Sequence, residues 1–160
     1  MKCEELLNFI IEKWEAFQKA EYHLFNEFVD ENGKPKKGVL KHIGVYVVYE
    51  GDKPIYVGSA GKGKHVLKYR IGDLFSDYRG KKGERKYYHT LTRKLLTKHK
   101  RFNSLGEIQG FYFKECKLKI LATETLSEAR LMEAFLINML KPKYNSEIED
   151  RLRLAKSKRG

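Results

Sequence analysis

Two tyrosines ten residues apart, an arginine and a glutamate are the side chains whose settings in this sequence call for a chemical explanation. Glu133 stands in LSEARLMEAFLINML, and the residues four before it and three, four and seven after it are Ala129, Leu136, Ile137 and Leu140. A carboxylate on or beside the apolar stripe of a helix is costly to desolvate, so it should be paired, protonated or bound to a cation. Arg70 repeats the pattern among Val66, Leu67, Leu74 and Phe75. Its stem can cover a core while its head stays wet, or its guanidinium can be fixed to grip a phosphate through two parallel N–H contacts. Taken singly, each residue has a plain reading: a glutamate reaching water, a snorkelling arginine, and tyrosines that simply suit strands.

The tyrosines carry more as a pair. GVYVVYEGDKPIYVGSA holds Gly-aliphatic-Tyr and Tyr-aliphatic-Gly on either side of Gly51-Asp52, and both arms alternate with a period of two. That pattern predicts a β-hairpin. Side chains alternate across a strand, so Tyr46 and Tyr56 share a face only if the loop has an odd length or one strand carries a bulge. A loop of three or five residues, or a bulge, is therefore expected.

The elements that must position these residues read in the order α, ββ, α, α, β, α, α. Residues 4 to 28 place Leu7, Ile10, Trp14, Phe17, Leu24 and Phe28 at helical spacing and predict an amphipathic helix or helix pair. The polar, Gly- and Pro-containing stretch 30–38 ends it and links it to the core. Helices are expected over 66–78 and 88–98 and a strand over 111–122. A further helix capped by Thr125 or Ser127 should stop before Pro142, followed by a short basic helix over 147–156 and a frayed tail. The whole is an α+β domain with a small antiparallel sheet, the hairpin plus a third strand, flanked by helices. Its expected parts are an N-terminal helical extension and linker over 1–40, a core over 41–146, and a basic C-terminal helix and tail over 147–160.

Length and composition agree with one domain. The chain has 160 residues, 41% hydrophobic and 12% aromatic, and its apolar runs fall far short of the roughly 18 residues a membrane span needs. Thirty-three Lys and Arg against twenty-one Asp and Glu give a formal charge of +12. So large an excess concentrates polyanions, of which nucleic acid is the commonest partner. Cys3 and Cys116 form no CxxC pair and suggest neither a disulfide framework nor a zinc site. The opening MKCEELLNFIIEKWEAF reads as neither a signal nor a transit peptide, so a cytoplasmic location is expected.

Taken in order, GVY (Gly44, Val45, Tyr46), YVG (Tyr56, Val57, Gly58), Arg70, Glu133 and the KPKYN segment resemble the GIY-YIG nuclease superfamily over Ile43 to Asn145. The YVGSA stretch is similar to phage homing endonucleases of that family, the compact build to its restriction enzymes. The resemblance implies that Tyr46 and Tyr56 are the motif tyrosines, Arg70 the helix arginine, Glu133 the metal-binding glutamate and Asn145 the downstream asparagine. One position departs: many members carry a His or Tyr one helical turn after the arginine, and here it is Leu74. The lost role passes to Tyr78, His65 or His89, or is absent.

The activity so implied is divalent-metal-dependent DNA endonuclease cleavage, with Mg²⁺ or Mn²⁺ held by Glu133. Arg70 would stabilise the pentacoordinate transition state. Tyr46 by preference, or Tyr56, would take the proton of the attacking water, aided by Lys62, Lys64 and the metal. Double-stranded DNA would be contacted by Lys62, Lys64, Lys68, Arg79, Lys81, Lys82, Arg85, Lys86, Arg93 and Lys94. A restriction or defence role is preferred to a structure-specific repair nuclease, and a non-catalytic nucleic-acid-binding module on the same fold is the alternative. A homodimer joined through Trp14, Phe17, Leu24, Phe25 and Phe28 and a monomer that nicks are both open.

Overall fold

The computed structural model describes residues 2–38, 41–61 and 66–145. Helix α1 covers Cys3–Lys19, with Glu4 and Glu5 in its first turn and Lys19 in its last, each sign placed where the helix dipole favours it. It covers only the first part of the helix or helix pair expected over residues 4 to 28. Ala20 is extended, and His23 then exchanges both backbone hydrogen bonds with Leu118, each at 2.8 Å. Sheet pairing at His23 competes with helix and wins. A 3₁₀ turn, Phe25–Glu27, follows.

Strands β1 (Ile43–Glu50) and β2 (Lys53–Ala60) form the hairpin, and β5 (Cys116–Thr123) adds to the other side of β1, giving an antiparallel sheet of order β2-β1-β5. The hairpin closes through Gly51 and Asp52 alone, since Glu50 pairs with Lys53. The register then slips: Tyr49 pairs with Pro54 but Val48 pairs with Tyr56, leaving Ile55 as a bulge. That single extra residue puts Tyr56 opposite Val48 and Gly58 opposite Tyr46, so both tyrosines face the same side.

Between β2 and β5 run α2 (Leu67–Asp73), a small hairpin of β3 (Asp77–Arg79) and β4 (Arg85–Tyr87), α3 (Thr90–Arg93), and α4 (Leu105–Glu115). The last turns of α3 widen to a π-helix over Lys94–Lys98. Helix α5, Leu126–Leu140, closes the described chain; Thr125 caps it by accepting from the Glu128 amide at 3.2 Å, and Lys141 ends it in left-handed geometry. Two sequence expectations differ here. The helix expected over 66–78 stops at Asp73 because Asp77 to Arg79 pair with Arg85 to Tyr87. The strand expected over 111–122 is helical up to Glu115, because Ser104 accepts from the Glu107 amide and starts a helix that buries Ile108, Phe111 and Tyr112. The basic helix expected over 147–156 lies outside the described residues.

The sheet is covered on both faces. On one, Tyr46, Val48 and Tyr56 pack with Leu67 and Ile71 of α2, Leu91 and Leu95, and Ile108 and Tyr112 of α4. On the other, Val45, Val47, Val57 and Leu121 pack with Ala129, Met132 and Leu136 of α5 and Phe17 of α1. Phe25, Phe28 and Val29, read from the sequence as part of an extension, are buried in the first of these clusters. The aromatic surface offered above as a dimer interface is largely used within the chain: Phe17, Phe25 and Phe28 are buried and Trp14 packs edge-on to Phe135, leaving Leu24 exposed. None of the described helices is long and apolar enough to cross a membrane.

Candidate active site

Four elements deliver the candidate residues: β1 carries Tyr46, β2 carries Tyr56, α2 carries Arg70 and α5 carries Glu133. The tyrosine rings lie 6.4 Å apart, centroid to centroid. Two glycines of the motif make room for them. A Cβ on Gly58 would sit 2.4 Å from the Tyr46 hydroxyl oxygen, and one on Gly44 would sit 2.3 Å from the Leu121 carbonyl oxygen of β5. The glycine of YVG is thus the floor on which the tyrosine of GVY lies, and the glycine of GVY lets β5 approach.

Tyr46 lies among apolar neighbours, but its hydroxyl has a polar partner. His89, wholly buried at the start of α3, meets the Tyr46 hydroxyl through Nε2 at 2.5 Å. Its other nitrogen, Nδ1, accepts from the Leu91 amide at 3.0 Å. Burial, and then the nearby Arg70 charge, hold the imidazole's pKa well below its ordinary value, so the ring is neutral. With Nδ1 accepting, the ring's single proton is on Nε2 and donates to the tyrosine oxygen. The His89 ring also lies 5.2 Å from that of Tyr56. Of the residues offered in place of Leu74, itself a buried core residue, His89 is the one in contact with Tyr46. Tyr78 is instead exposed on β3, and His65 lies outside the described residues, as do Lys62 and Lys64.

Burial first, and Tyr56 second, push the Tyr46 hydroxyl well above the usual phenol range, with Arg70 pulling the other way. Tyr56 is pushed up to about 12, again by burial first and then by the Glu133 carboxylate, opposed by Arg70, Thr90 and Arg93. Burial makes the Arg70 proton easier to lose, but Tyr46, Asp73 and Tyr56 together outweigh this and hold it more firmly. Glu133 is raised above the ordinary carboxylate range by burial, against hydrogen bonds from Ser59 and the charges of Arg130 and Arg70. Arg70 and Glu133 thus act on both tyrosines, in opposite directions. Asp73 orients Arg70, accepting from it at 3.0 Å three residues on. The i,i+3 spacing was a visible sign of that pair. Nothing local marks Ser59 as the partner of Glu133.

Supports for the site are themselves polar. The Thr92 hydroxyl donates to the Leu74 carbonyl at 2.6 Å and meets the Tyr112 hydroxyl at 2.9 Å, tying the end of α2 to α3 and α4. Asn145 pairs both its amide atoms with the backbone of Val57, at 2.8 and 2.9 Å. It so covers the free edge of β2, as His23 covers that of β5. Lys94 departs from the expected set of phosphate donors: it is buried in the π-helical turn and donates to the Tyr144 carbonyl at 2.5 Å. Arg79, Lys81, Lys82, Arg85, Lys86 and Arg93 are exposed, and Lys68 is partly so.

The ion pairs of the described residues leave Glu133 out. Among those residues no group of three His, Cys, Asp or Glu could enclose a metal ion. A single raised carboxylate suits a hard cation that keeps most of its waters, as Mg²⁺ does, and not one needing a full protein cage.

No family model matches the chain, and no curated protein matches it. Among solved structures it is similar to the GIY-YIG N-terminal endonuclease domain of UvrC from Thermotoga maritima bound to its catalytic divalent cation, magnesium, at 24% identity and TM-score 0.37 over 66% of this chain and 85% of that one. Two point mutants of the same domain, each bound to the divalent cation, match at 24% identity and TM-score 0.37 over 66% of this chain and 84% of theirs.

Proposed function

We propose that this protein is a divalent-metal-dependent DNA endonuclease hydrolysing phosphodiester bonds at Tyr46, Tyr56, Arg70 and Glu133. The observation that supports the reading is that the bulge at Ile55 puts Tyr46 and Tyr56 on one side of the sheet, their rings 6.4 Å apart, with the charges of Arg70 and Glu133 acting on both. Glu133 would hold the cation, which when bound neutralises charge on the phosphate and on the departing 3′ oxygen.

The chain's own residues divide the remaining work. Arg70, charged at every working pH, would grip the phosphate and stabilise the charge that grows in the transition state. Tyr46 would accept the proton of the attacking water as a phenolate. The Nε2–H of His89 donates to that oxygen and would favour its ionised form against the rise that burial imposes, and Tyr56 is the alternative base. His89 cannot itself be that base in this tautomer, because Nδ1 is taken by the Leu91 amide. The exposed cations from Arg79 to Arg93 would supply the phosphate contacts, and one active site per chain would cut one strand per event.

The complete burial of Tyr46 favours a second reading, a nucleic-acid-binding module without catalysis. Supercoiled plasmid incubated with the protein and Mg²⁺ separates the two. Nicked circles that appear with Mg²⁺ and are suppressed by EDTA support the nuclease; binding with no cut product over many hours sinks it.

A further inference from the structure

The small hairpin of β3 and β4 is the part of the surface that the site does not account for. Five of its exposed residues, Arg79, Lys81, Lys82, Arg85 and Lys86, are cationic, against Asp77 and Glu84. At its base Tyr78 and Tyr88 lie against each other, tilted by 37° with centroids 4.6 Å apart, yet remain 40% and 53% exposed. Two large rings left in water beside a cationic ribbon do not serve a core. Tyr78 lines a groove of about 360 Å³ together with Arg85, Lys86, Tyr87, Arg93 and Thr97.

One wall of the groove is the end of α3, the helix that His89 caps. Tyr88 immediately precedes His89, whose imidazole bonds to Tyr46, and Arg93, on the groove wall, is close enough to lower the proton affinity of Tyr56. Paired bases present only their edges, whereas an unpaired base presents a face that can stack on an aromatic ring while its phosphates meet Lys and Arg.

We propose that Tyr78, backed by Tyr88, is a stacking platform for an unpaired DNA base beside the scissile phosphate, with Arg85, Lys86 and Arg93 holding the flanking phosphates. The preferred substrate is then DNA carrying an unpaired or readily unpaired nucleotide. The proposal rests on the endonuclease reading for where the cut falls, but not for the binding preference.

The test compares two end-labelled duplexes, one fully paired and one with a single unpaired adenine, by fluorescence anisotropy in EDTA so that no cleavage intervenes. Wild-type protein should bind the unpaired duplex about ten-fold more tightly. Tyr78→Ala/Tyr88→Ala should lose that preference while keeping the salt dependence of binding, since every Lys and Arg remains, and Tyr78→Phe/Tyr88→Phe should keep both. Equal wild-type affinity for the two duplexes overturns the platform. So does a double-alanine variant that retains the preference, or one that weakens both duplexes equally, which would mark the rings as supports of the hairpin only. A wild-type protein that prefers the unpaired duplex but cuts no DNA in Mg²⁺ upholds the platform and overturns the endonuclease reading.

Discussion

The two faces of the sheet are built on different terms. The face toward α5 and α1 buries Val45, Val47, Val57 and Leu121 against Met132, Leu136 and Phe17, and its stability comes from apolar area and close packing. The opposite face also buries its residues, but includes His89, Thr92, Tyr46, Tyr56 and Tyr112, whose polar atoms must each find a partner. The first face can be rebuilt with other hydrophobes of similar volume; the second is tied to particular atoms. Glu133 joins them, since its helix packs on the first face while its carboxylate acts on the tyrosines of the second. A protein whose aim was stability alone would not keep a half-buried carboxylate with raised proton affinity there.

Substitutions should separate the faces. The largest expected effect is at Glu133→Ala: cleavage is lost, while DNA binding in EDTA is unchanged, because the cation site goes but no phosphate contact does. Retention of more than a few per cent of the cutting rate, measured on plasmid, removes Glu133 from the metal site. Arg70→Lys should slow cleavage about 10²–10³-fold, since an ammonium lacks the two-pronged geometry. Single-turnover rates near wild type would return Arg70 to a snorkelling role.

Leu136→Ala tests the other face. It should cost about 2–5 kcal/mol of stability through the cavity left behind, yet leave the cutting rate per folded molecule intact. A rate that falls with no change in the urea midpoint would collapse the distinction between the faces.

Smaller effects follow from titration. The folded pKa of His89 lies well below that of the unfolded chain. The stability it contributes is therefore present above about pH 6.5 and is lost as pH falls below that, where the unfolded chain takes up a proton that the fold refuses. His89→Gln, which keeps an amide donor for Tyr46 but does not titrate, should flatten that part of the acid slope in urea melts; an unaltered slope would show that His89 is protonated in the fold. Glu133 is raised, so its sign is opposite: its contribution is present below the ordinary carboxylate range and is lost as pH rises through the folded value. Glu133→Gln should consequently raise the Tm of the metal-free protein slightly at neutral pH and abolish any rise in Tm on adding Mg²⁺. A Tm that still climbs with Mg²⁺ would place the cation elsewhere.

Local pattern was enough for several parts of this molecule. Period-two alternation marks β1 and β2, and Thr125 or Ser127 marks the start of α5, which Thr125 caps. These are short-range signals, set by side-chain alternation and by orphan amides at a helix start. Even α4 had such a signal in Ser104 and Glu107, three residues apart, but the strand propensity of Phe111, Tyr112 and Phe113 outweighs it until packing decides.

What tertiary structure alone decided are the meetings of distant residues. The bulge at Ile55 puts Tyr56 on the side of Tyr46, because one extra residue reverses every side chain beyond it. His89 reaches Tyr46 across 43 residues, so no spacing rule could choose it over Tyr78. Lys94, a surface donor by composition, is drawn inside by the Tyr144 carbonyl 50 residues away. A carbonyl that needs a donor, a phenol that needs an N–H and a carboxylate at the end of a serine are demands of one particular packing, and those demands exist only once the chain has closed on itself.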